Sequence, residues 1–221
     1  MLFLFDIDGT LVATGGAGLR ALNRAFVEIH GVAEATRGIA ADGKTDPILV
    51  DEMFRARLSR APVDGEYEAL IGRYLEHLAG EVERTERYVV FPGVIRALDL
   101  LAGRGVTLGL ATGNVERGAA IKLARGDLWR RFAFGGYGSD AGDRAELVAR
   151  AIARGEAHAG RTFARDEVVV IGDTPRDVAA AHKNGVLAWG VATGPHRADA
   201  LAASGADVVM ETLEELPALL D

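Results

Sequence analysis

Two aspartates set the chemistry of this chain. Asp6 and Asp8 stand two residues apart in Asp6-Ile7-Asp8-Gly9-Thr10, directly after the apolar run Leu2–Phe5. Like charges this close raise one another's pKa unless a cation lies between them. A hard divalent cation with oxygen ligands meets that need, and Mg²⁺ is the usual one at phosphate sites. One carboxylate can then attack phosphorus while the other handles a proton. Gly9 lets the backbone turn sharply after the pair. The plain alternative is an acidic turn that closes a strand, with Asp-Gly as turn residues.

Asp173 adds a third carboxylate. It ends the apolar run Val168–Gly172 and is followed by Thr174-Pro175-Arg176-Asp177. That tetrapeptide reads as a helix start, with Thr174 as N-cap, Pro175 at the first position and Asp177 closing a capping box. Thr112-Gly113-Asn114 follows a further apolar run. A hydroxyl and free backbone N–H groups at a strand-to-helix turn make an anion cradle, although Thr-Gly-Asn is also ordinary turn chemistry.

These residues share one position in the elements that must carry them. Strands are expected over 2–6, 106–112, 168–173, 187–193 and 207–210, with helices near 115–125, 143–158 and 175–184. Short apolar strands alternating with helices imply a parallel sheet in an α/β layer fold. Ligands of such sheets bind beyond the carboxyl ends of the strands, where Asp6, Thr112 and Asp173 fall. The segment 15–86 differs, with helical patterns at 17–30, 46–60 and 66–82 and no strand. It is read as a second, smaller helical domain inserted into a core formed by 1–14 and 87–221.

The composition agrees with a globular enzyme. The 221 residues carry 25 Lys and Arg against 32 Asp and Glu, a net charge of −7, and 49% are hydrophobic. The absence of cysteine excludes disulfides, thiol catalysis and zinc–thiolate sites. No apolar run approaches the ~20 residues that span a bilayer. No basic stretch precedes the first apolar run, so no secretory leader is expected and the cytoplasm is the expected location. The negative charge argues against nucleic acid as a partner. Neither a membrane partner nor any particular oligomeric state is indicated.

Asp-Ile-Asp-Gly-Thr, a later strand ending in Thr112, and Gly172-Asp173-Thr174-Pro175-Arg176-Asp177 together resemble the haloacid dehalogenase-like superfamily of phosphatases. The resemblance runs along the whole chain. It implies a three-layer, Rossmann-like parallel-sheet core with an all-helical cap at 15–86. It implies Asp6 as the nucleophile that forms an aspartyl-phosphate, and Asp8 as acid to the leaving group and base for the hydrolytic water. Asp6, the Asp8 carbonyl oxygen and Asp173 would hold Mg²⁺, with Asp177 nearby. Thr112 would bind phosphoryl oxygens, in a cradle with Gly9, Thr10, Gly113 and Asn114. The family's usual Lys ahead of the following helix is missing. Arg144, in Asp143–Leu147, stands there and is expected to clamp the phosphoryl group. Lys122, one helix after Thr112, is the rival and reads as a surface lysine pointing away from the strand ends. Dehalogenases and phosphonatases of the superfamily lack an acid at the second position, so Asp8 argues against both. A sugar phosphate mutase stays open beside a phosphatase acting on a small phosphorylated metabolite.

Three further patterns compete. Gly38–Thr45 fits the P-loop pattern G-x-x-x-x-G-K-[ST], but Val32–Arg37 is too charged and alanine-rich for the central strand that an NTPase needs there. Gly43-Lys44-Thr45-Asp46 is instead similar to a Gly-x-Thr-Asp cap loop of phosphoglycolate phosphatases, which implies that Lys44 and Thr45 select the substrate. Gly136–Ala141 matches a loose dinucleotide fingerprint, with no strand expected after its helix at the right distance. The five histidines show no metal spacing, and no Gly-x-Ser-x-Gly elbow exists.

Overall fold

The computed structural model describes residues 1–220. In chain order its elements are β1 (Leu2–Phe5), β2 (Val12–Ala13), α1 (Ala17–His30), α2 (Asp46–Leu58), α3 (Glu66–Arg84), β3 (Val89–Val90), α4 (Val94–Gly103), β4 (Thr107–Thr112), α5 (Glu116–Ala124), β5 (Gly135–Tyr137), α6 (Arg144–Ala159), β6 (Val168–Gly172), α7 (Pro175–Lys183), β7 (Leu187–Val191), α8 (Ala198–Ala203), β8 (Val208–Met210) and α9 (Leu216–Leu219).

Six strands form one sheet in the order β5-β4-β1-β6-β7-β8, and every pairing is parallel. β1 lies between β4 and β6, with Leu2 opposite both Thr107 and Val168. A strand covered on both faces needs apolar residues at every position, and Leu-Phe-Leu-Phe supplies them. Phe3 and Phe5 pack on one face with Val94, Leu98 and Leu101 of α4. Leu2 and Leu4 pack on the other with Leu147 of α6 and Val178 of α7. This is the expected three-layer α/β core.

The three helices between β2 and β3 bury an apolar cluster of their own, including Leu22, Phe26, Phe54, Leu70, Tyr74 and Leu78. α1 and α3 pair through the faces that helical periodicity selects. The chain leaves and re-enters the core through the antiparallel pair β2–β3, where Val12 is opposite Val90.

Several elements were not expected. The pair β2–β3 is too short for a periodic signal. β5 is Gly-Gly-Tyr, a composition with little strand propensity, and its pairing with β4 alone holds it at the sheet edge. α4, α8 and α9 also escaped the sequence reading. The fingerprint at Gly136–Ala141 is corrected accordingly. β5 does precede α6, and β6 follows with Asp173 beyond its end, but β4 and β1 separate those two strands in the sheet. The unit therefore lacks the adjacent strands of a dinucleotide site. Among the described residues no strand precedes Gly38–Thr45 where a P-loop would need one. No helix among them is long and apolar enough to cross a membrane.

Candidate active site

The carboxyl ends of β1, β4 and β6 open into a cavity of about 470 Å³, roofed by α1, α2 and α3. Asp6, Asp8, Gly9, Thr112, Gly113, Asn114, Lys44, Arg144 and Asp173 all border it.

Asp6 follows β1 directly, and its N–H donates to the Ile171 carbonyl at 2.9 Å, so the sheet register fixes it. The turn then folds back: the Leu11 and Val12 N–H groups both donate to the Ile7 carbonyl. Gly9 occupies the left-handed region, with φ at +87°, which glycine enters without strain. A side chain there would also strike Asp173, since a Cβ would lie 2.2 Å from its Oδ2. Thr10 donates its hydroxyl to the Oδ1 of Asp173 at 3.0 Å.

Asp6, Asp173 and Asp177 are buried and bring carboxylate oxygens within 4.8 Å of one another. Burial dominates their electrostatics. It pushes Asp6 up to about 6, Arg144 pulling down while Asp177 and Asp8 add to the rise. Burial likewise pushes Asp173 up to about 9, with Asp6 and Asp177 adding repulsion. Asp177 performs the expected capping: its Oδ2 accepts from the Thr174 N–H at 3.1 Å and from the Thr174 hydroxyl at 2.6 Å. Its other oxygen pairs with the Arg144 guanidinium.

Arg144 opens α6, and its side chain is 9% exposed. Nη2 lies 3.1 Å from the Asp6 Oδ1, and Nη1 donates to the Gly43 carbonyl at 3.2 Å. Burial opposes the guanidinium charge, but Asp177 and Asp6 outweigh it and hold Arg144 above its ordinary range. Asp143 caps α6 by accepting from the Ala145 N–H at 2.7 Å, which sets the helix start and so the direction of Arg144.

Asp8 faces a different set. Its Oδ2 accepts from Lys122 Nζ at 2.6 Å and from Asn114 Nδ2 at 2.8 Å. Lys122 also donates to the Asn114 Oδ1 at 2.6 Å, and Asn114 donates to the buried Thr112 hydroxyl at 2.9 Å. The expectation of a surface Lys122 is therefore corrected. The residue is 6% exposed and lies on the inner face of α5, under α3. The turn Thr112–Val115 starts α5 close to the sheet, and that entry swings position 122 back over the strand ends. Spacing along one helix carries no signal of this.

The segment 43–46 crosses the cavity and touches the core with its backbone. Asp46 N–H donates to the Gly113 carbonyl at 2.8 Å, and the Val115 N–H donates to the Asp46 carboxylate at 2.8 Å. A Cβ at Gly113 would lie 2.3 Å from the Lys44 carbonyl, so glycine alone permits this approach. Lys44 pairs with Glu52 at 2.5 Å. The Thr45 hydroxyl donates to the Gly142 carbonyl at 2.9 Å and borders a neighbouring hollow. Asp46 and Tyr74 also line the cavity, and sequence reasoning assigned neither. Asp46 had two signals, its place as the Asp of the Gly-x-Thr-Asp pattern at 43–46 and its position at the start of a helix before Pro47. Tyr74 had only its place on the apolar face of α3.

The Asp6–Asp173 pair fits a divalent cation. Both are hard oxygen donors, and Oδ2 of Asp173 lies in a cradle that a Cβ at Gly9 or Gly194 would fill, at 2.2 and 1.8 Å. Asp177 is committed to Arg144 and Thr174.

The chain is similar to known proteins in sequence and in fold. The family model of haloacid dehalogenase-like hydrolases matches residues 1–185. "Probable phosphatase IndB" of Dickeya dadantii is 31% identical over 219 residues, covering 97% of this chain and 91% of that protein. Phosphoglycolate phosphatase of Agrobacterium fabrum is 30% identical, covering 87% and 81%. The crystal structure of a hydrolase from Pseudomonas syringae matches the fold with a TM-score of 0.74 at 23% identity, covering 99% of this chain and 97% of that one. With the family model spanning residues 1–185 and a relative 31% identical over 97% of its length, this chain belongs to the haloacid dehalogenase-like hydrolase family.

Proposed function

We propose that this protein is a Mg²⁺-dependent phosphomonoesterase, similar in sequence to phosphoglycolate phosphatases, acting on a small soluble phosphate ester. One observation carries the reading: Asp6 is buried beside the Arg144 guanidinium, 3.1 Å away, while Asp8, two residues on, turns its carboxylate to Lys122 and Asn114. The two acids thus occupy different environments, as a nucleophile and a proton carrier must. The relatives named as phosphatases support the same class.

Asp6 and Asp173 carboxylates and the Asp8 carbonyl would hold the cation. When bound, it supplies positive charge to the phosphoryl oxygens and to the crowded carboxylates. In the first step an Asp6 oxygen attacks phosphorus and the ester P–O bond breaks. Asp8 gives its proton to the departing alkoxide. In the second, Asp8 takes a proton from water, the hydroxide oxygen attacks phosphorus and the Asp6–phosphorus bond breaks, which returns both acids to their starting state. Arg144 shifts from Asp6 to two phosphoryl oxygens, a role suited to a planar guanidinium. Thr112, Gly113 and Asn114, with Gly9, line the same oxygens, whereas Thr10, expected in that cradle, is fully buried off the cavity and gives its hydroxyl to Asp173. The helices at 15–86 act as a cap that excludes water, with Lys44 and Thr45 holding the 43–46 segment across the opening.

Phosphate release from a panel of small phosphomonoesters tests this. Turnover with Mg²⁺, loss in excess chelator and recovery on adding Mg²⁺ back are expected. Ca²⁺ should substitute poorly, because it takes more and longer oxygen contacts. Full activity in chelator overturns the metal requirement, and conversion of a hexose 1-phosphate to its 6-phosphate without phosphate release would make the protein a mutase.

A further inference from the structure

Above Asp8 the cavity holds two polar heads that the phosphoryl chemistry does not use. Lys122 has three N–H donors. Two go to Asp8 and Asn114. The ring of Tyr74 is packed in the helical cluster, 1% exposed, while its residue borders the cavity and its hydroxyl bonds no other described residue. Both heads face the empty space over Gly18. A Cβ there would lie 3.6 Å from Lys122 Nζ and 3.8 Å from the Tyr74 oxygen. Leu22 and Leu49 are apolar members of the same cavity lining.

We propose that Tyr74 and Lys122 form a leaving-group subsite over Gly18, which takes a neutral hydroxyl on the carbon next to the ester carbon. The proposal rests on the phosphatase reading and names its substrate class as phosphate esters of small polyols. The subsite adjoins Asp8, the acid that meets the leaving oxygen, so the leaving alcohol must pass through it. A hydroxyl can accept from the Lys122 ammonium and exchange a hydrogen bond with Tyr74, whereas an alkyl group leaves the Tyr74 hydroxyl and the third Lys122 N–H unpaired in a buried site. A carboxylate suits the site less well. Lys122 already faces the Asp8 carboxylate at 2.6 Å, and the buried Asp46 carboxylate also borders the cavity and acts on both Lys122 and Tyr74. Even with Asp8 holding the proton for the leaving oxygen, a substrate carboxylate would be a second anion beside Asp46 around one ammonium. Lys44, the other cation on that side, is tied to Glu52.

Three two-carbon esters test the subsite: ethyl phosphate, 2-hydroxyethyl phosphate and carboxymethyl phosphate, each with Mg²⁺. The readout is the ratio of kcat/KM between esters within one enzyme preparation, which does not depend on the folded fraction. The wild type should prefer the hydroxyethyl ester over the ethyl ester roughly 3–10-fold, the scale of one added buried hydrogen bond, and also over the carboxymethyl ester. Tyr74→Phe removes only the hydroxyl and should bring the first ratio towards one. Gly18→Ala fits the space by distance and fills it, and should do the same. A flat ratio in the wild type, or an unchanged ratio in Tyr74→Phe, overturns the subsite while leaving a working phosphatase. Faster turnover of the carboxymethyl ester overturns the neutral-hydroxyl assignment. No phosphate from any of the three overturns the phosphatase reading, and the subsite with it.

Discussion

The Asp8 carboxylate and the Lys122 ammonium, 114 positions apart in the chain, meet at 2.6 Å over the strand ends. That contact divides the site in two. On one side Arg144 joins Asp6 to Asp177; on the other Lys122 joins Asp8 to Asn114. Each acid thus has its own cation.

Asp6→Asn should abolish phosphate release while the fold persists. The amide keeps the volume but removes the negative charge that attacks phosphorus. The check is turnover alongside a thermal melt, and wild-type turnover in this variant would end the aspartyl-phosphate mechanism.

Asp8→Ala should discriminate between leaving groups. General acid help is typically ~10²–10⁴-fold and matters most where the departing oxygen is basic. An alkyl phosphate should therefore lose far more than an activated aryl phosphate. Equal losses would mean that Asp8 serves only as a partner for Lys122.

Arg144→Ala should lower kcat/KM by roughly 2–4 kcal/mol, the scale for one lost stabiliser of transition-state charge. It also leaves Asp6 and Asp177 buried without their shared cation, so the melting temperature should fall. Arg144→Lys should recover part of the stability but less of the activity, because an ammonium cannot grip two oxygens in a fixed plane. Rate constants and melts on both variants read the two effects separately. A fully active Arg144→Ala enzyme would move the phosphate-clamping role to Lys122.

Burial pushes the Asp46 carboxyl up to about 6, although Lys122 and the Val115 N–H pull it down. An acid whose pKa is raised by folding binds its proton more tightly in the folded state. Stability therefore falls as pH rises from about 4 to about 6, and levels off above that. Asp46→Asn removes this contribution and keeps an oxygen for the Val115 N–H. Its melting temperature should change less than that of the wild type across the same interval. Identical slopes for the two proteins would show that Asp46 titrates as it does in the unfolded chain.

Much of this was legible in the sequence because the signals were local. Leu2–Phe5 and Val168–Ile171 are short apolar runs that read as buried strands, which puts the acid after each run at a strand's carboxyl end. Thr174-Pro175-Arg176-Asp177 announced its capping box because every bond in it spans three residues. Of the three helices between β2 and β3, α1 and α3 carried their own periodicity, while α2 showed almost none. The tertiary structure decided whatever depends on two segments far apart. β5 has almost no strand propensity of its own and exists because β4 offers it an edge. Lys122 reads as a solvated lysine until the entry of α5 turns it over Asp8. Tyr74 reads as core until α3 settles above Gly18 and leaves its hydroxyl facing a cavity. Periodicity tells which face of a helix is buried, but the docking of that helix decides what the buried face meets.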